Sequence, residues 1–203
     1  MEFKRVVEGR RSIRRFLPEP VPREDILEML ELATWAANAS NKQMWRFYVV
    51  TNRDKIAAMR DAVDSELKRL QVSAGKRPQT DFYSVLFEGA PVTIAVAYSA
   101  YRSSMEELME RAGLTRDEIA SRRQRPDIQS IGAAIQLLLC AAYEKGYGTC
   151  WMSAPMVARR DLESIIGVRE GETLCALVAL GRPAEAATGS SRKPVEQVTT
   201  FVE

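Results

Sequence analysis

The chain has 203 residues, 29 of them Lys or Arg and 27 Asp or Glu, for a formal net charge of +2, and it contains no histidine. Without an imidazole, a Ser-His-Asp relay, a Cys-His pair, a His-ligated metal and a histidine proton shuttle are all excluded. The near-neutral balance and 7% aromatic content argue against a nucleic-acid binder, while 46% hydrophobic content suffices for one sizeable core.

The amino terminus carries charges where a signal peptide needs an apolar run. The longest apolar stretch, 131–142, is interrupted by Gln136 and too short to cross a bilayer, so a soluble, cytoplasmic protein without a membrane partner is expected. Cys140, Cys150 and Cys175 form no Cys-x-x-Cys pair, which speaks against a disulfide framework and a zinc site. The first sixteen residues hold six Lys or Arg against two Glu, a net +4 and twice the charge of the whole chain. Within them, an extended Arg10-Arg-Ser-Ile-Arg14 sends Arg10, Ser12 and Arg14 to one side. Guanidinium forks around a hydroxyl suit a phosphate. A solvated basic terminus explains the same residues about equally well.

Ile26, Met29, Leu30 and Ala33 fall at spacings of three and four, which predicts a helix over 23–37. The loop after it gathers Asn38, Ser40, Asn41 and Gln43, whose amide and hydroxyl groups are available to a ligand. A left-handed Asn capping the helix accounts for only one of these. A strand at 46–51, a turn at 52–54 and a charged helix over 55–72 follow. The apolar run 92–98 predicts a strand buried on both faces. Residues 99–125 are charged and weakly amphipathic, with Gly113 dividing two short helical pieces, and read as an inserted lobe.

A helix from Pro126 or Asp127 to about 145 is apolar nearly all round and belongs at the centre of the molecule. Gly146 and Gly148 precede a strand at 149–152, the reverse of the strand-Gly-helix order that a dinucleotide fingerprint requires. What remains is a loop at Ser153 and Ala154 whose small side chains let a flat ligand approach the backbone. Cys150 and Trp151 read as core residues. A short helix at 159–166 and a buried strand at 173–181 complete the body. The β-prone tail, 192–202, has no hairpin partner and is expected to pack on another subunit. The whole, residues 1–203, is one α+β domain.

Taken in order, Arg10-Arg-Ser-Ile-Arg14, Asn41-Lys-Gln-Met-Trp45, Gly89-Ala-Pro91, Gly148-Thr-Cys-Trp151, Leu180-Gly-Arg-Pro183 and Arg192-Lys-Pro194 resemble the nitroreductase family over essentially the whole chain. The resemblance implies a central, mostly antiparallel sheet surrounded by helices, in a homodimer with exchanged C-terminal segments and FMN at the interface. It implies that Arg10 binds the FMN phosphate with Arg11 beside it, that Ser12 lies along the ribityl or phosphate portion, and that Arg14 stands near N1 and O2 of the ring. Arg192 and Lys193 complete the phosphate site, the loop with Asn38, Ser40, Asn41 and Gln43 comes from the other subunit, and Ser153 and Ala154 face N5. The chain departs from the family at Ala37-Asn38, where Pro-Ser is common, at Met44, where Pro is, and at Ser153-Ala154, where Glu-Gly or Gly-Gly is frequent.

A flavin explains the missing histidine, because the cofactor carries the redox chemistry and the protein binds and orients it. The reaction implied is ping-pong transfer of hydride from NADH or NADPH, through FMN, to a small-molecule acceptor such as a nitroaromatic or quinone. In the 99–125 lobe, Tyr101, Met105, Leu108 and Met109 are candidates to line the acceptor cleft, and Arg122, Arg123 and Arg125 to attract an anionic donor. The alternative for that lobe is a surface helical pair with an apolar inner face. Two other functions fit the sequence: a dehalogenase or flavin-fragmenting enzyme on the same fold, and a non-catalytic anion-binding module using the basic strip.

Overall fold

The structure, a computed structural model, describes residues 2–186, 189 and 191–203. Its centre is a four-stranded antiparallel sheet in the order β1 (Trp45–Val50), β2 (Val92–Ser99), β4 (Glu172–Gly181), β3 (Gly148–Met152). The two inner strands, β2 and β4, are the two continuous apolar runs. Helices cover both faces, which is why these strands need no polar side.

On one face, Ile94, Val96, Val178 and Leu180 pack with α2 (Arg23–Thr34) and α7 (Pro126–Glu144). On the other, Ala95, Leu177 and Ala179 pack with α3 (Arg53–Ser73), α8 (Arg159–Ile166) and the fully buried Phe87. Each fully buried Leu, Ile or Phe in these layers contributes roughly 1.5–3 kcal/mol relative to exposure. Asn52 starts α3 by accepting the Lys55 backbone N–H at 2.9 Å. An ion pair joins α2 to the end of α7: Lys145 Nζ lies 2.8 Å from Asp25 Oδ1, and the Tyr147 hydroxyl donates to Asp25 Oδ2 at 2.5 Å. The hydrogen bond from Lys145, with that from Tyr147, holds the Asp25 carboxyl below its ordinary value.

The lobe is two short helices, α5 (Ser104–Arg111) and α6 (Arg116–Arg123), turned by Gly113 at φ +85°. Thr115 and Glu118 cap α6 reciprocally, so the second helix starts where the sequence places a Thr-x-x-Glu box. Two helices went unanticipated: α1 (Phe3–Gly9), which buries only Val6, and the four-residue α4 (Phe82–Val85). Three expectations are corrected. α7 is not covered all round, since Ile128 and Leu137 are 38% and 36% exposed. The β-prone tail forms no strand among the described residues: Val195–Gln197 is a 3₁₀ turn, and Val195, Val198, Phe201 and Val202 are exposed within one chain. Helix α2 stops at Thr34, with Trp35 as its cap, three residues short of the predicted end.

Candidate functional site

The basic strip leaves α1 at Arg10 and runs extended along the edge strand β3. Ser12 pairs in parallel with Thr149, and the Ile13 N–H donates to the Thr149 carbonyl at 2.8 Å. Ile13 is buried, while Ser12 and Arg14 on the opposite side are exposed. Period two therefore does here what the sequence requires of it. Farther on, Phe16 pairs with Pro183 and the Leu17 N–H donates to the Arg182 carbonyl, so the strip is tied to both β3 and the end of β4.

No carboxylate pairs with Arg10, Arg11 or Arg14 among the described residues. Arg11 Nη1 donates to the backbone carbonyls of Glu8 and Arg10 at 2.5 and 2.8 Å. Arg10 Nε is buried and has no hydrogen-bond partner. An orphaned guanidinium N–H inside a protein costs about 1–3 kcal/mol and marks a place built for an acceptor. Arg10, Arg11 and Thr149 border a cavity of about 210 Å³ between α1, the end of α7 and Pro183.

The loop with Asn38, Ser40, Asn41 and Gln43 precedes β1, the opposite edge of the sheet. Ser40, Asn41 and Gln43 have φ of +53°, +51° and +48°, a concentration of strain that non-glycine residues avoid unless held. What holds them is visible. Asn38 Oδ1 accepts the Gln43 N–H at 2.9 Å, the Ala39 N–H donates to Ser130 Oγ on α7 at 3.1 Å, and Ser40 Oγ lies 2.9 Å from the Tyr101 hydroxyl. None of the loop's Asn residues caps α2. In one chain, then, strip and loop lie at the two edges of the sheet and do not meet.

Ser153 and Ala154 are exposed at the end of β3, opening a 3₁₀ turn over Ala154–Ala158. Arg192 and Lys193 lie in the exposed tail, where Arg192 Nη1 donates to the Ser191 carbonyl at 3.3 Å. Gly189 sits beside Arg11, a Cβ there lying 3.7 Å from Nη2, which brings the root of the tail to the strip.

Cys150 is buried, and burial pushes its thiol up against an opposing pull from Arg14. Burial likewise pushes Cys175 up to about 12, so neither is a thiolate at neutral pH. Trp151, expected in the core, is 44% exposed, and its ring lies near Gly132 of α7.

In α5, Met105 and Leu108 face outward at 47% and 60% exposure and Met109 is half-buried, whereas Glu106 is buried and burial raises its carboxyl; Tyr101 and, in α6, Ile119 are buried. Arg125 is engaged by Asp127 at 3.0 Å and by the Tyr98 hydroxyl at 2.7 Å, which removes it from the candidates for attracting a donor. Sequence reasoning also missed Tyr83, whose ring lies 5.8 Å from the Arg14 guanidinium carbon across a 69-residue gap that no local pattern signals.

Together, the helix-covered antiparallel sheet and the arginine strip on its edge strand define an α+β oxidoreductase of the nitroreductase-like fold. The chain belongs to the Nitroreductase family, which it matches over residues 7–182. It is similar to the NADH dehydrogenase of Thermus thermophilus, at 29% identity over 203 residues, covering 99% of this chain and 96% of that protein. The iodotyrosine deiodinase of Haliscomenobacter hydrossis is 27% identical over 203 residues, covering 92% and 81%. Among solved structures, a BluB-like flavoprotein from Clostridium difficile 630 superposes with a TM-score of 0.89 at 27% identity, covering 100% of both chains. No helix among the described residues is long and apolar enough to cross a membrane, and no metal-binding cluster of Cys, Asp and Glu occurs among them.

Proposed function

We propose that this protein is an FMN-dependent NAD(P)H oxidoreductase that reduces small electrophilic acceptors such as nitroaromatics or quinones. The observation that carries this reading is the buried Arg10 Nε, unpartnered in a strip of three guanidinium groups that lack carboxylate partners among the described residues. A phosphate monoester, with about −1.5 to −2 charges near neutral pH, satisfies both the orphaned donor and the excess charge. FMN, when bound, supplies the two-electron chemistry, accepting hydride from NADH or NADPH and returning it to the acceptor.

The chain's own residues do the rest. Arg10 and Arg11 hold the phosphate with Ser12, and Arg192 and Lys193 add charge from the tail. Arg14, fixed by the Ile13 anchor, keeps a permanent cation beside the ring. Ser153 and Ala154 keep the backbone open to its N5 edge. The 38–43 loop belongs to the site of a second copy: it sits at the far edge of its own sheet, and Trp151, Leu137, Ile128 and the apolar tail await cover of the kind a homodimer gives.

Purified protein should be yellow, with flavin absorbance that NADH or NADPH bleaches without oxygen. A colourless protein that FMN cannot reconstitute, with anion binding that falls steeply with salt, would replace this reading with the anion-binding module. Reductive dehalogenation is a second reading, supported by the similarity to iodotyrosine deiodinase. Release of halide from a halogenated phenol, faster than reduction of a nitroaromatic by the same preparation, would favour it.

Tyr101 is the link between the lobe and the strained loop, and the bond to Ser40 lowers its hydroxyl below the ordinary phenol value. Tyr101→Phe should remove about 0.5–1.5 kcal/mol of stability, a fall of about 1–6 °C in melting temperature, and weaken FMN binding by up to roughly 2- to 13-fold if the strained loop must keep that hydrogen bond to hold the cofactor. Unchanged affinity in a titration of the FMN-free protein would detach the loop from the cofactor.

A further inference from the structure

Beneath the lobe lies a cavity of about 250 Å³, bordered by α5, α6, the first turn of α7 and the paired ends of β2 and β4 at Tyr98 and Thr173. No residue of the arginine strip or the 38–43 loop borders it, nor does Ser153 or Ala154. Most of the charges around it are engaged with one another. Glu110 is held by Arg116 at 2.8 Å and by Arg102 at 3.5 Å, Asp127 is held by Arg125 at 3.0 Å, and Asp117 is exposed. Glu106 and Arg123 are the exceptions. Glu106 is only 8% exposed; its backbone N–H donates to Ser103 Oγ at 3.4 Å, but its carboxylate makes neither a hydrogen bond nor an ion pair among the described residues. Arg123 is half-buried, its guanidinium has no carboxylate partner there, and its Nε is buried without an acceptor. Both side chains border the same space, yet they do not close on each other as an ion pair.

A charge taken out of water and left unpartnered is strongly unfavourable, so protein interiors pair their buried charges. Pairing Glu106 with Arg123 would remove that cost, but the fold holds them apart. Burial raises the Glu106 carboxyl, and the Arg123 charge pulls the other way across the gap. We propose that this gap is a binding site for a small zwitterion, a short-chain amino acid whose ammonium donates to Glu106 and whose carboxylate accepts from Arg123. The planar guanidinium fork suits a carboxylate, and a buried carboxylate suits an ammonium. An anion alone leaves Glu106 unanswered, and an amine alone leaves Arg123 so. Size bounds the chain length: at about 30 Å³ for each water-sized group, the cavity holds roughly eight non-hydrogen atoms, enough for glycine, β-alanine or 4-aminobutyrate. Ile119 and Ala120 give the intervening methylene groups an apolar wall. The site is independent of the flavin.

The test measures binding of glycine, β-alanine and 4-aminobutyrate to FMN-loaded wild-type protein by calorimetry, with butyrate and butylamine as controls that carry one charge each, and repeats it in Glu106→Gln and Arg123→Gln. At least one zwitterion should bind about 10-fold or more tightly than either control, and each substitution should weaken it by roughly 10- to 150-fold, the range for a hydrogen bond to a charged group. Without ligand, Glu106→Gln should melt at or above the wild-type temperature, because it removes a buried carboxylate that the protein leaves unpaired. Its FMN affinity should match wild type. Butyrate binding as tightly as 4-aminobutyrate overturns the proposal in favour of a plain anion site. Absence of binding by all three zwitterions, or equal affinity in wild type and both variants, overturns it in favour of a cavity that holds water alone, and a lower melting temperature for Glu106→Gln overturns it by showing that the carboxyl has a structural partner. If Arg123→Gln does not fold, Glu106→Gln decides. Wild-type protein that takes up no FMN fails the oxidoreductase reading only; the same titrations on that protein as purified then decide the site.

Discussion

Arg10→Ala is expected to weaken FMN binding by roughly 10- to 150-fold, the loss of a charge-assisted hydrogen bond of about 1.5–3 kcal/mol, while Arg5→Ala stays near wild type. Both substitutions remove one positive charge from the same sixteen residues, so any difference reports geometry and not net charge. Arg5 is exposed on α1, whereas Arg10 follows the helix and carries a buried Nε with no partner. Arg10→Lys should fall between the two, because an ammonium keeps the charge and loses the planar fork. The cofactor-free protein provides a second readout. Removing a buried donor that has no acceptor does not cost its hydrogen bond, so the melting temperature of FMN-free Arg10→Ala should match or exceed wild type. A merely structural arginine would show the reverse, a lower melting temperature and little change in FMN affinity. Titration of FMN-free protein by flavin fluorescence quenching, at two salt concentrations, measures all of this, and equal affinity in Arg10→Ala and Arg5→Ala would sink the phosphate assignment.

The parts of this fold that local chemistry writes were readable from the sequence. Strands β2 and β4 announce themselves because each is apolar on both faces, and α7 because its small and branched residues recur at helical spacing. The Gly113 turn in the lobe is a left-handed glycine between two capped helices, as its sequence indicates. What the sequence did not disclose is decided at long range. Ser12 meets Thr149 across 137 residues, and that pairing, with Phe16 on Pro183, turns a basic terminus, otherwise indistinguishable from a solvated one, into an ordered strip. Trp151 looks like core by composition; its exposure depends on how far α7 covers this strand, which no periodicity encodes. Helix α5 shows the same limit in another form. Its amphipathic pattern is genuine, but Met105 and Leu108 face out and Glu106 faces in, toward a cavity it shares with Tyr101, Arg123 and Asp127. A helix sequence gives the stripe; which way the stripe points is set by the neighbours. The strain at Ser40, Asn41 and Gln43 was equally hidden, since none is the glycine that a positive φ usually signals.

Gly148→Ala should lower stability by about 1–3 kcal/mol, as overpacking does, which at roughly 2–4 °C per kcal/mol for a chain of this size is a fall of about 2–12 °C in melting temperature. A Cβ at Gly148 would lie 2.6, 2.8 and 3.0 Å from Ile13 Cγ1, Cβ and Cγ2. Neither side can yield easily. Ile13 is β-branched and stiff at χ1, it is buried, and its N–H is bonded to the Thr149 carbonyl next door. The strip itself must therefore move off β3, and since Ile13 anchors the side of the strip opposite Ser12 and Arg14, FMN affinity should fall together with stability if the proposed phosphate site is correct. Ile13→Ala in the Gly148→Ala background removes two of the three contacts, so the double variant should lose less stability than the two single losses added together. Gly132 supplies the control of opposite sign. It lies in the interior of α7, and the nearest atom to a Cβ there is Trp151 Cη2 at 3.7 Å, an ordinary contact. Gly132→Ala should therefore stabilise the helix by about 0.5–1 kcal/mol, the usual backbone-entropy gain. Thermal unfolding and FMN titration of the four proteins separate the outcomes: if Gly148→Ala keeps both wild-type stability and wild-type FMN affinity, the Ile13 contact does not hold the strip, and the path from an absent side chain at residue 148 to the guanidinium cluster is broken.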